Sequence, residues 1–168
     1  MELTPNVGYS FAMVFGEEDP GREPVFGVQY GLLGDFYLND RWSIRSGVSH
    51  FTLGSSTPYT TLKLNYLNIP ANANWHFGSE KHWNLNFGVT PQFLLKATDD
   101  DRDVMAFYKN FQLAFSYGMG YKIEVSEGFG ILIDLQGLVG ITNNLEDEIE
   151  IKRRNLGASL NIGGVIAL

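Results

Sequence analysis

From Trp83 to Leu95 every second residue is apolar and mostly large: Trp83, Leu85, Phe87, Val89, Pro91, Phe93 and Leu95. Between them stand Asn84, Asn86, Gly88, Thr90, Gln92 and Leu94, and Lys96 closes the run. A period of two predicts a β-strand with one apolar face and one polar or small face. The run far exceeds the usual strand of about five or six residues. It is close to the length of roughly 9–11 tilted residues that crosses a bilayer.

The pattern recurs along the chain. Residues 6–15 place Val7, Tyr9, Phe11, Met13 and Phe15 on one face. Residues 25–38 set Phe26, Val28, Tyr30, Leu32, Phe36 and Leu38 against Gly27, Gln29, Gly31, Leu33, Asp35 and Tyr37. Residues 42–51 set Trp42, Ile44 and Val48 against Ser43, Arg45, Gly47 and Ser49. In the fourth segment Leu67, Ile69, Ala71, Ala73, Trp75 and Phe77 alternate with Asn68, Pro70, Asn72, Asn74 and His76. There the apolar parity switches between Leu62/Leu64 and Leu67, which predicts a bulge or a strand start near Asn65. Pro70 cannot donate a ladder bond and is the weak point of this strand. The last three strands are predicted at 111–124, 129–141 and 153–168.

Long connections are predicted at 16–24, 52–60, 97–109 and 143–152, and short ones at 39–40, 78–82 and 126–128. Long and short in strict turn is the asymmetry of an outer-membrane barrel, with extracellular loops and tight periplasmic turns. Both termini then lie on the periplasmic side. Trp42, Trp75 and Trp83 each adjoin a short turn, where an aromatic girdle at the membrane interface belongs. The bulky apolar set is expected to face lipid, because eight strands leave an interior just wide enough for side chains. The fold expected is all-β: a single domain, residues 1–168, forming an eight-stranded antiparallel up-and-down transmembrane barrel.

Composition narrows the function classes. A chain of 168 residues with 44% hydrophobic and 18% charged residues is not disordered. No stretch approaches 18 consecutive apolar residues, which excludes a transmembrane helix and leaves a barrel untouched. The absence of cysteine excludes a disulfide framework and a thiolate metal site. A net charge of −7 argues against nucleic acid as a partner. No basic and apolar leader precedes the first strand, so on this reading the export signal is absent from the chain.

The segment FYLNDRWSIRSGVSHFTLG, then YLNIPANANWHFG and LNFGVTPQFLL, resembles the small outer-membrane β-barrels of the PorT-like "porin family" of Bacteroidota. Members show a strand, a short turn, an "sLrsGl.y" strand, then "YLeiP" and an "fG" turn. The resemblance spans nearly the whole chain and implies a barrel in the bacterial outer membrane, with no implied reaction. Such barrels usually end in an aromatic residue. This chain ends in Leu168, with Leu160, Ile162 and Ile166 keeping the alternation.

Six charged residues fall on the expected lumen face: Asp35, Arg45, Lys96, Lys122, Glu124 and Asp134. Asp35 and Arg45 are near cross-strand neighbours in the hairpin around Asn39-Asp40, and Lys122 lies diagonally from Asp134 and beside Glu124. Opposite charges in a narrow interior must pair, because an uncompensated buried charge is expensive. A structural plug is therefore expected ahead of an ion path. The acidic runs Glu17-Glu18-Asp19, Asp99-Asp100-Asp101 with Asp103, and Glu146-Asp147-Glu148 with Glu150 lack calcium-loop spacing and read as solvated loops. Ser49 and His50 are adjacent, hence on opposite faces, and no serine stands obviously beside His76 or His82. No catalytic site, cofactor or metal is expected. The role expected is structural, accessory or recognition, with outer-membrane lipid and other outer-membrane proteins as the partners to test. A narrow pore or small-solute transporter is the alternative, and a lipid-modifying enzyme the third.

Overall fold

In the computed structural model, residues 1–16, 23–143, 145 and 153–168 are described. Eight barrel strands run antiparallel: β1 (Glu2–Gly16), β2 (Glu23–Tyr37), β3 (Trp42–Ser56), β4 in two halves (Thr61–Asn68 and Ala71–Phe77), β5 (Trp83–Asp99), β6 (Phe111–Ser126), β7 (Phe129–Gly140) and β8 (Arg153–Ala167). Each pairs with its neighbours in sequence. Pairing of β1 with β8, from Glu2↔Ala167 to Gly16↔Arg153, closes the barrel and leaves no free edge.

Most strands outrun the prediction. At 15 residues for β3 and 17 for β5 they exceed the length that crosses a bilayer. Residues expected as loop are therefore strand: β3 continues to Ser56, so its connection to β4 shrinks to a turn over 57–60, as tight as the turn at 38–41. After β5, Arg102–Asp103 folds back onto Thr98 and Asp99, and a single 3-10 turn, Met105–Phe107, precedes β6. Tight turns at 38–41, 78–82 and 127–128 share one end of the barrel with both termini. We call this the turn end and the opposite one the loop end. Gly128 at φ +78° and Gly78 at φ +90° supply the left-handed conformations that two of these turns require.

The facing follows the alternation. Phe87, Phe93, Phe115, Tyr117 and Ile133 are exposed on the outer wall, whereas Asn86, Gln92, Ser116 and Asp134 are buried inside. Gln136 points inward and is half-buried.

Near Asn65 the outcome departs from expectation. Leu62, Leu64, Tyr66, Asn68, Asn72, Asn74 and His76 are all buried, so β4 keeps one parity from end to end. It is the chemistry that switches. Leu62 and Leu64 face the lumen with Phe51, Leu53 and Leu94, and the loop half of the barrel has an apolar interior. The bulge lies across from Asn65, on β5: Asn65 pairs with Lys96 and Tyr66 with Leu94, which leaves Leu95 as the extra residue. The interruption of β4 at Ile69-Pro70 is a gap in the ladder, where neither Pro70 nor the neighbouring Pro91 can donate.

The candidate functional site in the barrel lumen

At the turn half, strands β2, β3 and β7 bring three of the six expected charges together. Asp35 and Arg45 are register partners in the β2–β3 hairpin. Arg45 donates from Nε to Asp35 Oδ2 at 3.1 Å and from a terminal nitrogen to the same oxygen at 3.0 Å. Its other terminal nitrogen crosses the lumen to Asp134 Oδ1 at 3.3 Å. All three residues are 3% exposed, so bulk water screens these charges little. Each carboxylate has further donors: Ser43 Oγ (2.9 Å) and Asn74 Nδ2 (2.8 Å) reach Asp35, and Gln136 Nε2 (2.8 Å) reaches Asp134. This is the satisfied form of a buried charge cluster, in which each carboxylate carries added hydrogen bonds beside its ion pair.

The other three expected charges are elsewhere. Lys122 does not meet Glu124 or Asp134. It pairs with Glu2 at 3.0 Å near the turn-end mouth, where Tyr37 also donates to Glu2 at 2.9 Å. The sequence reading missed Glu2 because its first strand began at Asn6. Glu124 is exposed and lies 3.8 Å from His82 Nε2. Lys96 is exposed on the outer wall, because Leu95, the bulge residue, shifts every later residue of β5 by one face. The expectation that it lined the lumen is overturned by that single irregularity.

Serine and histidine also meet where none was expected. Ser43 Oγ lies 3.0 Å from His76 Nε2, and both are buried. The wiring is not that of a nucleophile and its base, however. A catalytic acid orients the histidine from its far nitrogen. Here the acid, Asp35, accepts the hydrogen bond that the serine hydroxyl donates and is itself held by Arg45. Tyr37 packs its ring on His76 at 5.0 Å, and both line the turn-end mouth. Ser49 is buried, whereas His50 faces outward and stacks on Tyr30 at 4.9 Å.

Above the charges runs a layer of amides and hydroxyls. Asn155 donates to Gln112, Gln112 to Gln92, and Gln92 to Asn68. Asn72 bonds Asn86 and accepts from Ser116, which accepts from Thr90. Glycines on adjacent strands make room for them. A Cβ at Gly88 would sit 2.6 Å from Asn72 Oδ1, and below the layer one at Gly120 would sit 2.8 Å from Asn84 Nδ2 and 2.9 Å from Asp134 Oδ1. Between this layer and Arg45 a cavity of about 50 Å³ remains, lined by Gln29, Ser49, Asn68, Asn72 and Ser116 among others. That is room for a few waters, for which the unpartnered Oε1 of Gln29 supplies one acceptor.

The loop half is closed by Phe51, Leu53, Leu62, Leu64, Tyr66, Leu94 and Leu138, with Tyr108 and Leu145 from the loops above. Of these, the hydrophobic pattern counts only Leu62 and Leu64 with the outward set; it places Leu94 on the opposite face and Leu53, Tyr108 and Leu145 in loops, so this apolar filling is a departure from expectation. The bulky groups fit because Gly157 stands against them: a Cβ there would meet Leu53 at 2.9 Å and Phe51 at 3.0 Å. The acidic runs at 17–19 and 146–150 lie outside the described residues.

On the outer wall at the turn end the aromatic residues form one ribbon. Trp42 stacks on Trp75 at 6.3 Å, Trp75 on Phe77 at 5.0 Å, Phe77 on Trp83 at 6.3 Å, and Trp83 meets Tyr121 at 4.7 Å. Cross-strand register places three of these contacts and the two-residue step along β4 places Trp75 beside Phe77, so the tryptophans share one level around the barrel.

The fold matches solved barrels along its whole length. Neisserial surface protein A superposes with a TM-score of 0.63 at 13% identity, covering 99% of this chain and 97% of that one. Ail, the attachment invasion locus protein of Yersinia pestis, gives 0.52 at 13% identity and 98% of each chain. OprG of Pseudomonas aeruginosa gives 0.51 at 8% identity, over 99% and 96%. At these identities the likeness is one of fold. No curated protein matches the sequence. The family model for the outer membrane protein beta-barrel domain matches residues 3–163. The chain thus belongs to the outer membrane protein beta-barrel domain family, and is an integral β-barrel of the bacterial outer membrane.

Proposed function

We propose that the protein is a closed, non-conducting barrel that serves the outer membrane as an accessory or recognition element, with its loop end held outside. The observation that supports this most is the double filling of the lumen. A guanidinium engaged by two carboxylates gives way to a passing ion only by breaking a buried pair. The apolar layer above it would repel ions by dewetting. The finer placement among PorT-like barrels of Bacteroidota rests on the segments quoted above. With it comes the expectation of a subunit role in a larger outer-membrane assembly, with lipid and other outer-membrane proteins as partners. The transport reading draws on the turn-end mouth, an opening of about 480 Å³ lined by Glu2, Tyr37, Asp40, His76, Lys81 and Lys122.

Planar-bilayer recording decides between the two. The expected result is silence from the wild-type barrel, and steady single-channel conductance would overturn the proposal. Purification of the native protein in mild detergent, with mass spectrometry of its companions, tests the accessory role. An assay of phospholipid and lipopolysaccharide turnover is expected to show none.

A further inference from the structure

The bulge at Leu95 turns Lys96 outward on β5, one step diagonally from Lys63 on β4, which is also exposed. Lys63 pairs with Thr98 and Lys96 with Asn65, so the two ammonium groups flank one patch of wall. Thr52 Oγ1 donates to Asn65 Oδ1 at 2.8 Å, which fixes the amide with its NH₂ free to donate outward. Among the described residues neither lysine has a carboxylate partner. The carboxylate of Asp100, at the tip, accepts the backbone N–H of Thr61 instead. Two unpaired cations and an outward amide donor thus stand together on the lipid-facing wall.

Depth says what they meet. From Trp83 to Lys96 along β5, at about 3.3 Å per residue and a strand tilt of about 40°, the rise is about 30 Å. That is the thickness of a bilayer's hydrocarbon core. With the tryptophan ribbon at one interface, Lys63 and Lys96 lie at the headgroup level of the other. The loop end faces outward in the reading proposed above, and on that orientation the leaflet is the outer one.

We propose that Lys63, Lys96 and Asn65 form a binding site for a phosphate group of the outer leaflet's glycolipid. The two ammonium groups straddle the phosphate, and the Asn65 amide and Thr98 hydroxyl add donors. Snorkelling to water would suit one lysine anywhere on the wall. It gives no reason for a strand irregularity that places a second one beside it.

The test uses the full barrel in phosphatidylcholine nanodiscs carrying either bis-phosphorylated lipid A or its dephosphorylated form, with bound lipid counted by native mass spectrometry. The wild type should prefer the phosphorylated lipid. Lys63→Gln with Lys96→Gln should lower that preference about thirtyfold, the combined effect of two cations at a membrane surface. Arg154, exposed on β8 at the far wall, serves as the control, and Arg154→Gln should change the preference little. Both lysines are exposed, so the variants should fold as the wild type does, checked by heat-modifiable migration on gels. Three results would each overturn the site: no preference in the wild type, a preference that survives the double variant, or an equal loss from Arg154→Gln. Binding in nanodiscs depends on neither conductance nor protein partners. Its failure would leave the closed-barrel reading standing, and conductance would leave the lipid site standing.

Discussion

Replacing Arg45 with alanine removes one cation from between two buried carboxylates. Asp35 keeps Ser43 and Asn74 as donors, and Asp134 keeps Gln136, but neither retains a counter-charge. Breaking a buried pair by deleting one partner typically costs about 3–5 kcal/mol. Arg45 is 3% exposed and serves both carboxylates, so the upper part of that range applies. With a urea dependence of about 2 kcal/mol per molar, the unfolding midpoint should fall by about 2 M. The assay is a urea series on the barrel in lipid vesicles, followed by tryptophan fluorescence, since Trp42, Trp75 and Trp83 share one ribbon. Replacing all three charges together, with Arg45→Leu, Asp35→Asn and Asp134→Asn, should recover most of the loss, because no orphaned ion remains. Conductance should stay at zero in both variants, since the apolar layer is untouched. Unchanged stability in Arg45→Ala accompanied by ion flow would refute the argument and make the lumen a pore.

Deleting Leu95 should be tolerated: the ladder closes over the missing residue with Lys96 still outward and Leu94 and Ala97 still inward, whereas deleting Phe87 reverses every later facing and should abolish the heat-modifiable band on gels. Gly120→Ala should cost about 1–3 kcal/mol in the same urea series, because its Cβ would press on Asp134 and Asn84. Ser43→Ala should cost about 1–2 kcal/mol by leaving Asp35 and His76 each short of a partner, and lipid-turnover assays should read the same before and after.

Strand number, closure and the outward aromatic face were legible because alternation is a local property repeated along the chain. The Asp35–Arg45 pair was legible as well, since a tight hairpin fixes its own register. Four things were not. Asp134 reaches Arg45 from β7, across the lumen, and no local signal carries that distance. Lys96 was misplaced because a bulge costs one residue and leaves no mark in the hydrophobic pattern when Leu94 and Leu95 are both apolar. The apolar lumen of the loop half was read as a change of strand phase near Asn65. What changes there is the medium outside the wall: within the bilayer the greasy residues face out, and beyond it the same strands fold like a soluble barrel. Lys122 missed its partner because Glu2 lay outside the first strand as predicted.

That reversal makes the loop end of the barrel more sensitive to cooling than the rest. Burial of apolar groups from water weakens as temperature falls, and carries the heat capacity of unfolding. Phe51, Leu53, Leu62, Leu64 and Leu138 at the loop end are buried from water in this sense. The lipid-facing wall is not, because its groups stay among acyl chains whether or not the strands remain paired. Near freezing, amide protection relative to the intrinsic exchange rate should therefore fall first in the backbone of 51–56 and 61–66, while the amides around Arg45 stay protected.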